Sequence, residues 1–144
     1  MSERPEYESK SDIEFETQVA SHLAAVWTAD AVKLPRFYKC DWALRRGKKV
    51  AALLEIKCRK NAADKYPTII LSSDKWSYLR QMDAALNVPA LFVAKFTDGI
   101  RYIRPATSHN FTVEMGGRFD RGDWQDMEPV IHIPISEMIK IESK

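Results

Sequence analysis

The sequence predicts a single α/β domain in which a mixed β-sheet is flanked by helices. The chain has 144 residues, a common length for one domain. Apolar residues make up 45% of it and charged residues 29%, which favours a packed core over a disordered chain. The periodic segments follow the order helix, four strands, helix and two strands, which is typical of a mixed sheet with helices on its faces. No apolar run approaches the about 20 residues that a membrane helix requires.

The N-terminal region is predicted to be a frayed tail followed by an amphipathic helix. Residues 1–10 are polar, partly acidic and without the charge order of a signal peptide. Residues 12–29 fit a helix with Asp12 as its N-cap. The apolar side chains of this helix fall on one arc: Phe15, Val19, Leu23, Val26 and Trp27. Glu16 lies inside that arc, on the face expected to be buried, and Glu14 takes this place if the face is rotated.

The next segments predict a short strand and then a β-hairpin. Residues 31–34 fit a strand that Pro35 interrupts. Residues 36–45 and 49–59 fit the two arms of a hairpin, joined by a loop of about three residues around Gly47.

A second helix and further strands complete the prediction. Residues 68–71 fit a strand, and residues 74–87 fit a helix that is capped within Ser72–Asp74 and ended by Asn87. The inward side chains of this helix are expected to be Trp76, Leu79, Met82 and Leu86. The remaining segments are predicted as strands at 89–94, 100–103 and 130–135, a turn at Asp98-Gly99, a long loop at 114–129 and a helical turn from Ser136 to Ile139.

Charged side chains interrupt the second arm of the predicted hairpin, where a buried strand ends. Strand side chains alternate between faces, so Glu55 and Lys57 share one face. With a three-residue loop at 47–49, Asp41 falls opposite Glu55, about 4.5–5.5 Å away between Cβ atoms. Like charges in such positions repel each other, and a divalent cation between the two carboxylates compensates for this. Carboxylate oxygens suit Mg²⁺, with Mn²⁺ as a substitute, so Asp41 and Glu55 are candidate metal ligands.

A lysine beside such an ion suits phosphodiester hydrolysis. Negative charge builds around phosphorus during the reaction, and Lys57 is placed to stabilise it or to orient the attacking water. Of the 22 basic residues, 11 lie between positions 33 and 65, although the formal net charge is only +2. The candidates for binding DNA phosphates are Lys39, Arg45, Arg46, Lys48, Arg59 and Lys60. A solvated hairpin tip explains Arg45, Arg46 and Lys48 equally well.

This arrangement resembles the PD-(D/E)XK nuclease superfamily. The matching parts are a helix that carries Glu16, a hairpin that carries Asp41 and the run Glu55-Ile56-Lys57, followed by a helix and a strand. The resemblance implies a restriction-endonuclease-like αβββαβ core and Mg²⁺-dependent cleavage of DNA. It also implies that Asp41, Glu55 and the backbone carbonyl of Ile56 bind the metal. Glu16 would assist them, and Lys57 would be the catalytic lysine.

The likeness covers about residues 12–104 and leaves 105–144 as an extension of the same domain. Cys40 stands where a proline precedes the aspartate in many members. Gln81, followed four positions later by Ala85, lacks the Q-x-x-x-Y pattern of RecB-like exonucleases. The chain is therefore more similar to small Holliday-junction resolvases or phage nucleases, which implies an endonuclease. Paired nicks take two active sites, which favours a homodimer.

Three other expectations concern context and rival functions. Two cysteines are too few for a disulfide framework and indicate reduced thiols in the cytoplasm, that of the host if the gene is from a phage. The first rival is a non-catalytic nuclease-fold factor that binds DNA or protein. The second is an unrelated α/β domain whose charges form structural ion pairs.

Overall fold

The computed structural model describes residues 10–35, 40–117 and 127–141. Residues 1–9, which are most of the predicted tail, lie outside this part of the chain, as do part of the first hairpin arm at 36–39, the middle of the predicted loop at 118–126, and residues 142–144. Lys10, predicted to lie in the tail, begins the first helix, so Asp12 is not its N-cap. No helix within it is long and apolar enough to cross a membrane.

Two α-helices and nine β-strands form the framework of these residues. In chain order they are α1 (Lys10–Val26), β1 (Asp30–Lys33), β2 (Trp42–Arg46), β3 (Lys49–Cys58), β4 (Thr68–Ser72), α2 (Ser73–Leu86), β5 (Ala90–Phe96), β6 (Gly99–Ile103), β7 (Val113–Gly117), β8 (Met127–Pro134) and β9 (Ile139–Ile141). The predicted α/β class and the αβββαβ order of elements are confirmed.

The strands form two sheets. The larger has the order β1-β2-β3-β5-β6-β9, and the smaller has the order β4-β8-β7. Only β3 and β5 pair in parallel, because the chain between them crosses over through β4 and α2. All other neighbours are antiparallel. The larger sheet is therefore mixed, as predicted, but β4 belongs to the smaller sheet.

The large sheet is covered on both faces, so β3 is buried on both sides. Leu54 and Ile56 pack with Val19 and Leu23 of α1 in one core. Leu53 points the other way, into a second core that α2 and the small sheet complete. The alternation along β3 thus places Glu55 and Lys57 on the α2 face of the sheet.

The hairpin reaches the predicted register by another route. Arg46 pairs with Lys49, so the turn has two residues and not three, with Gly47 at φ +61°. The register then shifts between Leu44 and Arg45, a β-bulge that adds one residue on β3. The shorter turn and the bulge cancel each other, and Trp42 pairs with Leu54 as the three-residue loop predicted.

Helix α2 confirms its predicted ends and corrects one core residue. The hydroxyl of Ser72 accepts a hydrogen bond from the backbone N–H of Lys75, at 3.2 Å, and Asn87 ends the helix at φ 54°. Leu86, expected inward, is 49% exposed. Asp83 is buried in its place, because its carboxylate accepts two hydrogen bonds from Arg104 and one from the N–H of Ala90.

Two predictions in the C-terminal extension are wrong. The loop predicted at 114–129 contains most of β7 and the start of β8, which pair with each other. Ser136 does not cap a helical turn; a 3₁₀ turn spans Ile135–Glu137 after Pro134, and β9 follows it. Cys40 is buried and Cys58 is half-buried, and both carry thiols.

Candidate active site

The two candidate metal-binding carboxylates lie side by side at the open end of the hairpin. Trp42 pairs with Leu54, so Asp41 and Glu55 follow as neighbours across the hairpin. The N–H of Asp41 donates to the carbonyl of Leu54 at 3.0 Å. Its Oδ2 accepts a hydrogen bond from the N–H of Ile56 at 3.3 Å. The chain therefore holds Asp41 against β3 through its backbone and its side chain.

Glu55 is a buried carboxylate, with 1% of the residue exposed. Its Oε2 is buried and accepts no hydrogen bond from the residues that the structure describes. Burial, and then the charge of Asp41, raise the pKa of Glu55 to about 8, although Lys75 acts in the opposite direction. A buried carboxylate beside a second carboxylate is costly in free energy unless a nearby cation offsets their negative charge. A bound metal ion would supply that positive charge.

Lys75 provides a cation in this structure. Its Nζ donates a hydrogen bond to Oε1 of Glu55 from the first turn of α2. Burial lowers the pKa of Lys75, but the charge and the hydrogen bond of Glu55 outweigh this and raise it overall. Sequence reasoning missed this residue. The sequence did hold one indication of its role. A lysine in the first turn of a helix is disfavoured by the helix dipole, so it suggests a nearby negative partner.

Lys57 is half-buried on the same face of β3 as Glu55. Burial, and then the positive charges of Arg59 and Lys75, lower its pKa to about 8. Part of the lysine population is therefore uncharged near neutral pH. An ammonium with such a pKa gives up its proton far more readily than that of an ordinary surface lysine, so its amine form is available as a base near neutral pH.

The backbone of β3 adds an oxygen to this site. The N–H groups of Leu53 and Arg59 donate to the carbonyls of Pro89 and Lys95, which lie on the β5 side. The N–H of Ile56 donates to Asp41, on the opposite side. In a strand the N–H and C=O of one residue point the same way, so the Ile56 carbonyl faces Asp41.

These groups fit a magnesium ion. No group of three or more His, Cys, Asp or Glu side chains suited to a metal occurs among the described residues. Mg²⁺ nevertheless binds through one or two carboxylates and keeps several waters. Asp41, the buried Oε2 of Glu55 and the Ile56 carbonyl meet that requirement, and the ammonium of Lys75 stands where a cation is needed.

Glu16 takes a different place from the other three candidate residues. It lies on α1, which covers the opposite face of the sheet from Glu55. Its carboxylate is largely buried, with 12% of the side chain exposed, and its Oε1 is 4.0 Å from Nζ of Lys33. The structure thus places Asp41, Glu55 and Lys57 together on one face of the sheet. Glu16 lies on the other face and is not a third carboxylate beside Asp41 and Glu55.

The candidate DNA-binding residues divide into three sets. Lys39 lies outside the described residues. At the hairpin tip, Arg45 and Lys48 are exposed, while Arg46 donates to the carbonyls of Trp27 at 2.6 Å and Thr28 at 3.2 Å. Arg46 thereby holds the turn after α1. Arg59 and Lys60 come directly after β3, two and three residues beyond Lys57.

A carboxylate pair and a lysine at the end of a central strand, in a mixed sheet with a helix on each face, define the PD-(D/E)XK class of nuclease folds. The model of the family described as "Phage putative PDDEXK endonuclease" matches residues 2–141. The chain belongs to this endonuclease family.

A solved structure with a similar fold is Hjc of Archaeoglobus fulgidus, a Holliday junction resolvase from an archaeal hyperthermophile. It is 17% identical in sequence, with a TM-score of 0.58, and the match covers 92% of this chain and 93% of that one. No curated protein matches the sequence significantly.

Proposed function

We propose that this protein is a Mg²⁺-dependent DNA endonuclease. Its active site, which hydrolyses phosphodiester bonds, is formed by Asp41, Glu55 and Lys57. The observation that carries the proposal is the buried carboxylate of Glu55, which lies beside Asp41 and on the same strand face as Lys57. Membership of a phage endonuclease family supports DNA as the substrate and the host cytoplasm as the place of action.

Each residue has a distinct task in the proposed reaction. Asp41, Glu55 and the Ile56 carbonyl would hold the ion, and Mn²⁺ would substitute for Mg²⁺ there. When bound, the ion supplies charge stabilisation for the phosphate and a water with a lowered pKa. Because the pKa of Lys57 is about 8, its amine takes a proton from the attacking water or its ammonium holds a phosphate oxygen.

Lys75 holds the Glu55 side chain in the position from which it would bind the ion. Its ammonium lowers the cost of ionising the buried carboxyl group in the metal-free protein and holds Oε1 in one position. Glu16, on the far side of β3, has a supporting role at most in this proposal, through its approach to Lys33.

The substrate is proposed to be branched or otherwise irregular DNA. The support is the fold of Hjc, which is a Holliday junction resolvase, together with the small size of both chains. A homodimer would allow two strands to be nicked by two copies of the site. Arg45, Lys48, Arg59 and Lys60 are the proposed phosphate contacts, each at an end of the hairpin strands.

One observation favours a second candidate, a nuclease-fold protein that binds DNA without cutting it. The cation next to Glu55 is a lysine of the chain itself. If Lys75 never leaves Glu55, the site is a structural ion pair and the protein is a binding factor.

The test is a cleavage assay on branched, flapped, linear and single-stranded DNA with Mg²⁺, Mn²⁺ or EDTA. Glu55→Gln and Lys57→Met should each lower metal-dependent cleavage at least about 100-fold, because each removes a group that acts on the transition state. Glu137→Gln and Lys49→Met, at exposed positions, are the matched controls and should cleave normally. Undiminished cleavage by Glu55→Gln would refute the proposal, and metal-independent DNA binding without cutting would establish the binding factor.

A further inference from the structure

A cavity of about 710 Å³ opens on the α1 side of the large sheet. It lies between α1, the end of β3, the turn that joins β5 to β6, and β9. The carboxylates and Lys57 are on the other face of β3, so the cavity is not part of the candidate active site.

The walls of this cavity combine apolar and basic side chains. Its apolar wall is made of Phe15, Val19, Ile100 and Ile141. Its basic side chains are Arg59, Lys60, Lys95 and Lys140. Among the described residues that line it, Asp98 alone is acidic, and one of its carboxylate oxygens already accepts a hydrogen bond from the N–H of Ala63 at 3.0 Å. The net charge of the lining therefore attracts a ligand with phosphate groups.

The aromatic residue of the wall is unusually exposed. Phe15 is 52% exposed although it sits on the apolar side of α1. An exposed phenyl ring beside several cations is the combination that binds a nucleotide in single-stranded DNA, with the base on the ring and the phosphate on the cations. Contact with duplex phosphates alone would need the cations and not the apolar wall.

The cavity is close to the candidate active site along β3. Arg59 follows Lys57 by two residues, about 6–7 Å along the strand. Successive phosphates of one DNA strand rise about 3.4 Å along the duplex axis. A strand held at Lys57 would thus reach Arg59 within one or two nucleotides of the bond to be cut.

We propose that this cavity receives an unpaired nucleotide one or two positions from the bond that is cut. Its base rests on Phe15 and the apolar wall, and its phosphate meets Arg59, Lys60 and Lys95. The volume is in the range of small-ligand sites and takes a nucleotide but no duplex. This inference rests on the proposed endonuclease and specifies its substrate: DNA with unpaired nucleotides next to the cut.

Binding to fluorescent DNA in EDTA tests the proposal without cleavage. The full-length protein is titrated with a duplex and with the same duplex carrying one unpaired 2-aminopurine. The variants are Phe15→Ala and Lys95→Met. Their matched controls are Ile13→Ala, an exposed apolar residue of the same helix, and Lys49→Met on the hairpin.

We expect the wild-type protein to prefer the unpaired DNA and to change the fluorescence of 2-aminopurine. Phe15→Ala should reduce that preference about 5- to 100-fold, the range that loss of one stacked base gives. Lys95→Met should lower the slope of log affinity against log salt by about 1. The two control variants should keep the wild-type preference.

Three results would overturn the inference. The first is an unchanged preference in Phe15→Ala. The second is that Lys95→Met weakens binding to both DNAs equally while Phe15→Ala has no effect, which would make the cavity a contact with the duplex backbone. The third is tight binding of free deoxyadenosine monophosphate that the DNA does not displace, which would make it a free-nucleotide site. Because none of these measurements uses cleavage, failure here leaves the cleavage test of Glu55 unaffected, and the reverse also holds.

Discussion

Removing the ammonium of Lys75 tests how the buried Glu55 is compensated. Lys75→Met keeps an unbranched side chain one atom shorter than lysine and deletes the hydrogen bond to Oε1. Deleting one partner of a buried ion pair costs about 3–5 kcal/mol when the other charge stays buried. Two features reduce this cost here. The Lys75 side chain is 40% exposed, so water screens its charge. The pKa of Glu55 is about 8, so the carboxyl group is mostly protonated at pH 7.

The expected loss in the free energy of unfolding is therefore about 1–2 kcal/mol at pH 7, the value of one hydrogen bond to a charged group. It should approach about 3 kcal/mol at pH 9, where the wild-type pair is ionised and the variant must either bury an unpaired carboxylate or keep Glu55 protonated. Mg²⁺ should then stabilise Lys75→Met more than the wild-type protein, because no ammonium competes for Glu55.

The assay is a double-mutant cycle of Lys75→Met and Glu55→Gln, measured by urea unfolding in EDTA at pH 7 and pH 9. The coupling energy should be about 1 kcal/mol or more, since residues in one ion pair do not behave additively. Lys49→Met, combined with Glu55→Gln, is the control and should show no coupling. A coupling energy below about 0.5 kcal/mol at both pH values would refute the view that Lys75 compensates Glu55.

Two further predictions concern pH and the far end of α2. The pKa of Glu55 in the folded protein, about 8, lies above its ordinary value of 4.5, so the folded state holds a proton that the unfolded chain loses between these values. The free energy of unfolding in EDTA should therefore fall as the pH rises from about 4.5 to about 8. In Glu55→Gln, urea unfolding over the same pH range should show a smaller decrease, because the contribution of Glu55 is absent. Asp83→Ala should destabilise the fold by about 2–3 kcal/mol by urea unfolding, because the carboxylate binds Arg104 and the N–H of Ala90. Its Mg²⁺ affinity, measured by calorimetry, should not change, because Asp83 is about 12 Å along the helix from Lys75; a large drop in affinity would mean that this ion pair also shapes the site.

Local signals predicted the elements of the core well. Ser72 and Asn87 mark the ends of α2 because a hydroxyl that caps a helix and an asparagine with positive φ act within one turn. The hairpin prediction had the wrong loop length and the right register, because the bulge on β3 adds the residue that the turn omits. The β7–β8 pair was missed, since a stretch rich in glycine and acids carries no strand periodicity.

Contacts between distant elements were not predictable in the same way. Asp83 is buried on α2, although the apolar pattern of the helix did not include it among the inward residues. Its partner, Arg104, is 21 residues away in the chain. Lys75 likewise meets Glu55 across 20 residues. In both cases a polar side chain is buried only because another element brings it a partner, and no periodic pattern in the chain records that partner.

The sequence by itself determined that Glu55 and Lys57 share a face of β3 and that Asp41 lies across the hairpin. The physical reason is that strand alternation and hairpin register depend on neighbouring residues alone. Only the tertiary structure decided that Lys75 binds Glu55, and that Phe15 and Lys95 line one cavity with Arg59. These groups come from helices and strands far apart in the chain, and they meet only once both faces of the large sheet are packed.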